Sequence, residues 1–310
     1  MYCSDNQLAN LDISNNTALA NLYSSYNQLT SLDVSKNTAL TYLSIEGNQI
    51  VNIDISNNVA LTYLYCAYNQ LGSLDISNNT ALAGLSCYSN QLTNLNVSKN
   101  TALSWLYCFD NQMTSLDVSN NIELKELYCS NNRLNGIDFS NNAALLWLDC
   151  SNNQLTSLDV SNNTSLKELY CNNNQLASID FSNNTALTKL NIYSNRIRVD
   201  EMQALVNSLP VQTDAQLGVV SLSDESEGNV CTTVQVAIAK EKGWRVLALN
   251  WFEYMGYYQL RDYAGSDPTS IKVITSEYDL NAPVYNLNGT HMSKPRKGIN
   301  IIGGKKVIVK

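Results

Sequence analysis

The 310-residue chain has a single histidine, four prolines and little charge, with Asp, Glu, Lys and Arg together making up 15% of it. Each scarcity excludes something. His291 has no acid-and-serine pattern beside it to make it a general base, so the chain is not expected to be an enzyme. No glycine-rich phosphate cradle and no Cys-x-x-Cys pair occurs, so neither nucleotide nor zinc is implied, and no cofactor is expected. No apolar run reaches the ~18 residues of a membrane-spanning helix. The net charge of -8 argues against a phosphate-tracking surface, and no nucleic-acid partner is expected. Basic residues gather only near the end, at Lys294, Arg296, Lys297, Lys305, Lys306 and Lys310, as a solvated strand and turn surface would have them.

What the chain has is a period. Every 21 residues it returns to one phrase, as in Leu127-Tyr128-Cys129-Ser130-Asn131-Asn132-Arg133-Leu134 and Leu169-Tyr170-Cys171-Asn172-Asn173-Asn174-Gln175-Leu176. A fixed period of this length marks a solenoid, whose coils bury their apolar sides only against neighbours. In the copy from Leu124 to Ala144, Leu124, Leu127, Cys129, Leu134, Ile137 and Phe139 fall on phases that are apolar in nearly every copy. At roughly 1.5–3 kcal/mol for each large aliphatic side chain, one such coil cannot offset its own ordering, and stacking must supply the rest. Leu127-Tyr128-Cys129 alternates in, out, in, as a short strand does, and Ile137-Asp138-Phe139 suggests a strand-like return on the opposite side.

Seven of the eight cysteines, Cys3, Cys66, Cys87, Cys108, Cys129, Cys150 and Cys171, share one phase, where Ser24, Ile45 and Ile192 also stand. Exchange with Ile identifies an inward apolar position, and parallel side chains about 4.8 Å apart do not bridge easily, so buried reduced thiols are expected. The Asn at Asn27, Asn48, Asn69, Asn90, Asn111, Asn132, Asn153, Asn174 and Asn195 can satisfy backbone groups where each strand turns. Asp12, Asp33, Asp54, Asp75, Asp117, Asp138, Asp159 and Asp180 form an outward column interrupted by Asn96. They lack the spacing of calcium-binding coils, so acceptance of N–H bonds in the adjoining turns is expected, and no metal. The Asn-x-Thr triplets such as Asn162-Asn163-Thr164 follow from the same turns.

The pattern Leu-x-x-Leu-x-Cys-x-x-Asn-x-Leu resembles the leucine-rich repeat family, and its continuation Leu-Asp-Val-Ser-Asn-Asn is similar to the bacterial 21-residue subclass. The resemblance covers residues 1 to about 197. It implies an α/β fold: a right-handed leucine-rich-repeat superhelix of mostly parallel β coils, with binding on the strand-lined face. The expected organisation is a solenoid of about ten coils over 1–197, an αβαβ C-terminal cap over 198–265 and a small β tail module over 266–310.

If the constant phases serve structure, partner choice belongs to the outward strand phases, which are rich in aromatics. Candidate partner-binding residues are Tyr23, Tyr42, Tyr63, Tyr65, Tyr88, Trp105, Tyr107, Phe109, Tyr128, Trp147 and Tyr170, with Glu126, Asp149 and Glu168 adding an acidic region. A contiguous Tyr and Trp patch favours protein–protein interaction or adhesion, with a protein ligand of host origin as the expected partner. Carbohydrate binding and a structural spacer are the alternatives, the latter because Tyr suits strands in any case.

Toward the end, Asp200-Glu201-Met202-Gln203 fits a helix-capping box, residues from about Thr232 to Lys242 a second helix, and Asn288-Gly289 and Gly303-Gly304 fit hairpin turns. The phrases Pro283-Val284-Tyr285-Asn286-Leu287-Asn288-Gly289 and Lys297-Gly298-Ile299-Asn300-Ile301-Ile302 resemble C-terminal modules of secreted and surface Bacteroidetes proteins, implying a sorting or attachment tail; a small β cap is the plainer alternative. Met1 falls at a Leu phase, so residues upstream, with a signal peptide, are expected to complete the first coil of a secreted or cell-surface protein.

Overall fold

A computed structural model describes residues 1–252, 257–266, 284–285, 291–292, 298–302 and 305–309. The chain forms two compact units, Met1–Gly265 and Ser266–Lys310. The first is a parallel-strand solenoid closed by a cap. Nine three-residue strands recur at the period: β1 (Asn21–Tyr23), β2 (Tyr42–Ser44), β3 (Tyr63–Tyr65), β4 (Gly84–Ser86), β5 (Trp105–Tyr107), β6 (Glu126–Tyr128), β7 (Trp147–Asp149), β8 (Glu168–Tyr170) and β9 (Lys189–Asn191). Each pairs in parallel with the next at an offset of one repeat, as in Leu106↔Leu127, and Tyr2 bridges to Tyr23 ahead of them.

The strands are short because the chain turns soon after them. One residue past each Cys-phase neighbour the backbone enters the left-handed region, at Asn131, Asn152 and Asn173 among others (φ 52°, 52° and 55°). Asn tolerates that region better than most residues. The next Asn then secures the turn: Asn111 Oδ1 accepts the Leu92 N–H, while its Nδ2 donates to the carbonyls of Cys87, Cys108 and Phe109. One side chain thereby ties two coils together, and the same bonding recurs at the other members of this ladder.

No strand forms on the return side; Ile137-Asp138-Phe139 is irregular backbone, a correction to the expected alternation there. Its place is held by a second, unforeseen Asn ladder. Asn58 is fully buried and its Nδ2 donates to Val34 O and Asn37 O at 3.1 and 2.9 Å, and Asn79, Asn100, Asn121, Asn142, Asn163 and Asn184 repeat this bonding. The Asp column lies beside it, with each of the eight carboxylates accepting the N–H of the Ser two residues on at 2.8 or 2.9 Å. Asn96 does the same toward Ser98, so an amide replaces a carboxylate there without loss of the turn.

Cys66, Cys87, Cys108, Cys129, Cys150 and Cys171 are fully buried in the apolar core, and Cys3 is partly exposed. Burial holds these six thiols well above their ordinary value of 9.0. They therefore stay protonated and unreactive in the native chain. Because the native value is the raised one, their stabilising effect is complete below pH 9.0 and is lost as rising pH ionises the unfolded thiols. We expect iodoacetamide at about pH 8 to label Cys3 ahead of all other cysteines, with the core thiols labelled only after unfolding, and urea stability to fall between about pH 8 and about pH 10. Rapid native labelling of several thiols, or stability rising over that interval, would contradict this core assignment.

The cap covers the last coil with α1 (Val199–Ser208), β10 (Ala215–Ser221), α2 (Thr233–Glu241), β11 (Trp244–Phe252) and β12 (Tyr257–Asp262). α1 buries Met202, Leu205 and Val206 but begins at Val199 after Arg198, with no side-chain cap; Asp200 lies inside its first turn, so the expected capping box does not form. The box is at α2 instead, where Thr232 and Gln235 bond reciprocally. β10 pairs in parallel with β9 and β11, and β12, absent from the expected αβαβ pattern, closes the 12-stranded sheet antiparallel to β11. Asn229 carries the first Asn ladder into the cap, accepting Ile197 N–H and donating to Ile192 O and Val219 O.

In the second unit, β13 (Val284–Tyr285) pairs antiparallel with β14 (His291–Met292) and with β15 (Gly298–Ile302), which pairs with β16 (Lys305–Val309). His291 stands on a strand, and Asn288-Gly289 and Gly303-Gly304 lie outside the described residues.

Candidate functional site: the aromatic strand face

Within each strand the middle Leu points into the core, so the residues flanking it form two columns on the outer face. Their register brings Tyr42 beside Tyr63, Gly84 beside Trp105, and Tyr107 beside Tyr128. The rings do not merely sit side by side. They form one continuous chain that zigzags between columns: Tyr2–Tyr23, Tyr23–Tyr42, Tyr42–Tyr65, Tyr65–Trp105, Trp105–Tyr107 and Tyr107–Tyr128, at centroid distances of 4.4, 4.6, 5.2, 5.4, 4.9 and 4.8 Å. Tyr63 joins through Tyr42 and Trp105, both at 6.2 Å.

Gly84 makes the chain continuous. A Cβ there would lie 2.0 Å from Trp105 Cζ2. Glycine lets the indole lie across strand β4 and reach Tyr63 and Tyr65 on β3. A second row runs alongside, with Tyr68 edge-on to Tyr88 at 5.0 Å and Tyr88 stacked on Phe109 at 4.1 Å. Tyr26 and Tyr68 occupy the left-handed phase at φ 54° and 51°, which costs a bulky residue roughly 1–2 kcal/mol. The same backbone recurs at this phase in every coil, so it belongs to the turn and not to these two rings in particular.

Beyond Tyr128 the face changes character. Trp147 takes part in no ring stack among the described residues and instead carries Lys167 Nζ 5.9 Å from its centroid. Tyr170 donates to Glu168 and lies under Lys189, which is 3.7 Å from the same carboxylate. Asp149 is turned toward its own loop, accepting from Ser151 N–H and Oγ. Glu126 accepts from the Tyr107 hydroxyl. Burial, reinforced by neighbouring carboxylates, raises the pKa of Tyr42, Tyr65, Tyr107 and Tyr128, and pushes that of Tyr88 up to about 12. These phenols remain neutral hydrogen-bonding groups at physiological pH.

Sequence reasoning named the rings but missed Gly84, Glu46 and Ala67. Glu46 is the only acid at a phase otherwise filled by Ser4, Ser25, Ala67, Tyr88, Phe109, Ser130, Ser151, Asn172 and Tyr193. Its carboxylate accepts a 3.0 Å bond from Ser86 Oγ, two coils away, crossing the coil where Ala67 stands. A glycine on an outward strand phase, one period before a tryptophan, was the available signal.

A stack of parallel strands, one per 21-residue coil, with Leu, Cys and Asn columns inside, has the architecture of a leucine-rich-repeat solenoid. A family profile described as "Leucine Rich repeats (2 copies)" matches residues 143–184 and 164–207. Among solved structures, the functional domain of InlJ from Listeria monocytogenes, which includes a cysteine ladder, is 31% identical with a TM-score of 0.66, covering 81% of this chain and 63% of that one. A leucine-rich-repeat protein of Leptospira interrogans is 24% identical (TM-score 0.65, 70% and 59% covered), and the internalin InlF of Listeria monocytogenes 21% identical (0.56, 75% and 81%). The chain thus spans less than two thirds of the first two structures. No curated protein matches it at a significant level. Leucine-rich repeats commonly mediate protein–protein interaction, and no described helix is long and apolar enough to cross a membrane.

Proposed function

We propose that this chain is a non-catalytic binding protein of the bacterial surface, docking a host-derived protein on its aromatic strand face. The observation that carries this is the ring chain itself. A sugar-binding platform offers open, separate ring faces, whereas here each ring of the chain packs against its neighbours, stacked at Tyr2–Tyr23 and Tyr107–Tyr128 and tilted by 30° to 42° between them, which leaves a continuous surface of ring edges, partly covered faces and hydroxyls. Rigid Tyr and Trp edges with neutral hydroxyls suit an irregular protein surface and lose little conformational entropy on contact. The unit Ser266–Lys310 would serve as the sorting or attachment segment of a secreted Bacteroidetes protein.

The test is a panel of host-surface proteins and a glycan array, probed with the wild type and with Trp105→Ala, Trp147→Ala and the double variant. Protein binding should weaken at least about tenfold in Trp105→Ala, the ring at the centre of the chain, and less in Trp147→Ala. Unchanged protein binding by the double variant, or binding to glycans alone, would overturn the proposal.

A further inference from the structure

The other acids of this face are all engaged: Glu126 by Tyr107, Glu168 by Lys189 and Tyr170, and Asp149 by Ser151. Among the described residues only Glu168 of these acids has a cation against it, and Glu46, like Glu126 and Asp149, has a hydroxyl instead. Glu46 is half-buried and is the one among them whose bond spans two coils, which carries its carboxylate past Tyr65, the residue in register with both Ser44 and Ser86. Its bond to Ser86 passes the coil of Tyr65, whose ring lies 5.2 Å from that of Tyr42, and Ser86 stands two residues before Tyr88 of the second row; the Glu46 charge adds to burial in keeping these three phenols neutral. The floor around it is built of small, buried residues, Ser25, Ser44, Ala67 and Ser86, with Ser25 and Ser44 bonded to each other at 2.6 Å.

A carboxylate held partly out of water without a counter-charge is costly in the free protein, and a cation delivered by a ligand offsets that cost. Of the biological cations, guanidinium fits this setting best. It is planar, stacks on phenol rings, is less strongly hydrated than ammonium, and donates to a carboxylate from its edge. We propose that Glu46, framed by Tyr42, Tyr65 and Tyr88, is the recognition site for an arginine side chain of the protein partner. This rests on the strand face being a protein-docking surface, and it specifies the chemistry at one point of that surface. The net charge of -8 favours the approach of a basic segment to the chain, and the Glu46 site selects its arginine.

The test is a fluorescence titration of the full chain with a short arginine homopeptide at low salt, against a citrulline peptide of equal length as the neutral isostere. The arginine peptide should bind and the citrulline peptide should not. Glu46→Gln, which keeps a partner for Ser86, should weaken binding at least about tenfold at an unchanged unfolding temperature. Ser86→Ala, which removes the hydrogen bond but leaves the carboxylate, should stay within about threefold, and Asp138→Asn, in the turn column on the return side, should have no effect. The proposal is overturned if the wild type ignores the arginine peptide, if citrulline binds equally, or if Glu46→Gln binds as the wild type does. Its failure is separable from that of the docking face. Peptide binding that resists Glu46→Gln but is lost with Trp105→Ala removes only the arginine site; peptide binding indifferent to both removes support for the face as well.

Discussion

Replacing Asn111 by leucine is expected to cost about 3–5 kcal/mol and to open the coils around β4 to β6. The Leu92 N–H loses its only acceptor in the side-chain ladder, and three carbonyls, those of Cys87, Cys108 and Phe109, each lose a donor. A buried donor left without a partner costs about 1–3 kcal/mol, and each lost hydrogen bond to a carbonyl adds about 1 kcal/mol or less where another donor remains. Another donor does remain for each, from Asn90 to Cys87 O, from Asn132 to Cys108 O and from the Ser89 N–H to Phe109 O. Leucine also brings an apolar branch into a polar turn. Because each coil is stabilised by its neighbours, the damage should be local at first. Hydrogen exchange should accelerate most in the two coils flanking the substitution, ahead of global melting. Asn120→Ala, an exposed Asn with a single 3.3 Å bond to Ser98 O, should change stability by less than about 0.5 kcal/mol. Equal effects at the two sites would show that the inward amide ladder is not what joins the coils.

Substituting Gly84 by valine is expected to cut the ring chain in two. The new Cβ would coincide with the position of the Trp105 indole, and the strand backbone beneath cannot move without breaking its parallel pairing. The indole is the part able to leave. It should swing into solvent, separating Tyr63 and Tyr65 from Tyr107 and Tyr128. Each aromatic pair is worth about 0.5–1.5 kcal/mol, so the chain should lose about 2 kcal/mol while keeping its fold. The Trp105 emission, isolated by difference against Trp105→Phe, should shift to the red. Partner binding should fall by as much as in Trp105→Ala. An unshifted emission would mean that the indole does not depend on the glycine.

These two positions also mark how far the fold was legible in the sequence. The first Asn ladder could be read because its phase sits in a strand-and-turn phrase whose neighbours alternate in and out. The second could not, since Asn57-Asn58 and its counterparts look like ordinary turn residues, and only stacking reveals that the second Asn of each pair faces inward. The same limit explains the absent return strand: Ile137-Asp138-Phe139 alternates, but the carbonyls beside it are taken by Asn side chains and by turn N–H groups rather than by a ladder of backbone bonds. In the cap, Asp200 read as the residue that caps α1, but the helix begins one residue earlier at Val199 and places Asp200 inside its first turn.

For the site, the columns of Tyr and Trp followed from the period, and their outward direction from the inward Leu between them. What the period hides is contact across more than one coil. Trp105 reaches β3 over Gly84, and Glu46 reaches Ser86 over the coil of Ala67. Both depend on a small residue where the repeat would accept a large one, so the informative letters were the departures from the aromatic pattern.

The most direct measurement of the central claim is hydroxyl-radical footprinting of the chain, free and bound to a protein partner found in the host-surface panel, because it reads the solvent exposure of individual side chains. The account predicts protection of Tyr63, Trp105, Tyr107 and Tyr128 on the strand face, with Val59 and Ile122, exposed away from those strands, oxidised equally in both states. Protection of Val59 and Ile122 with the four rings unchanged would place the partner elsewhere and contradict the aromatic face as the binding surface.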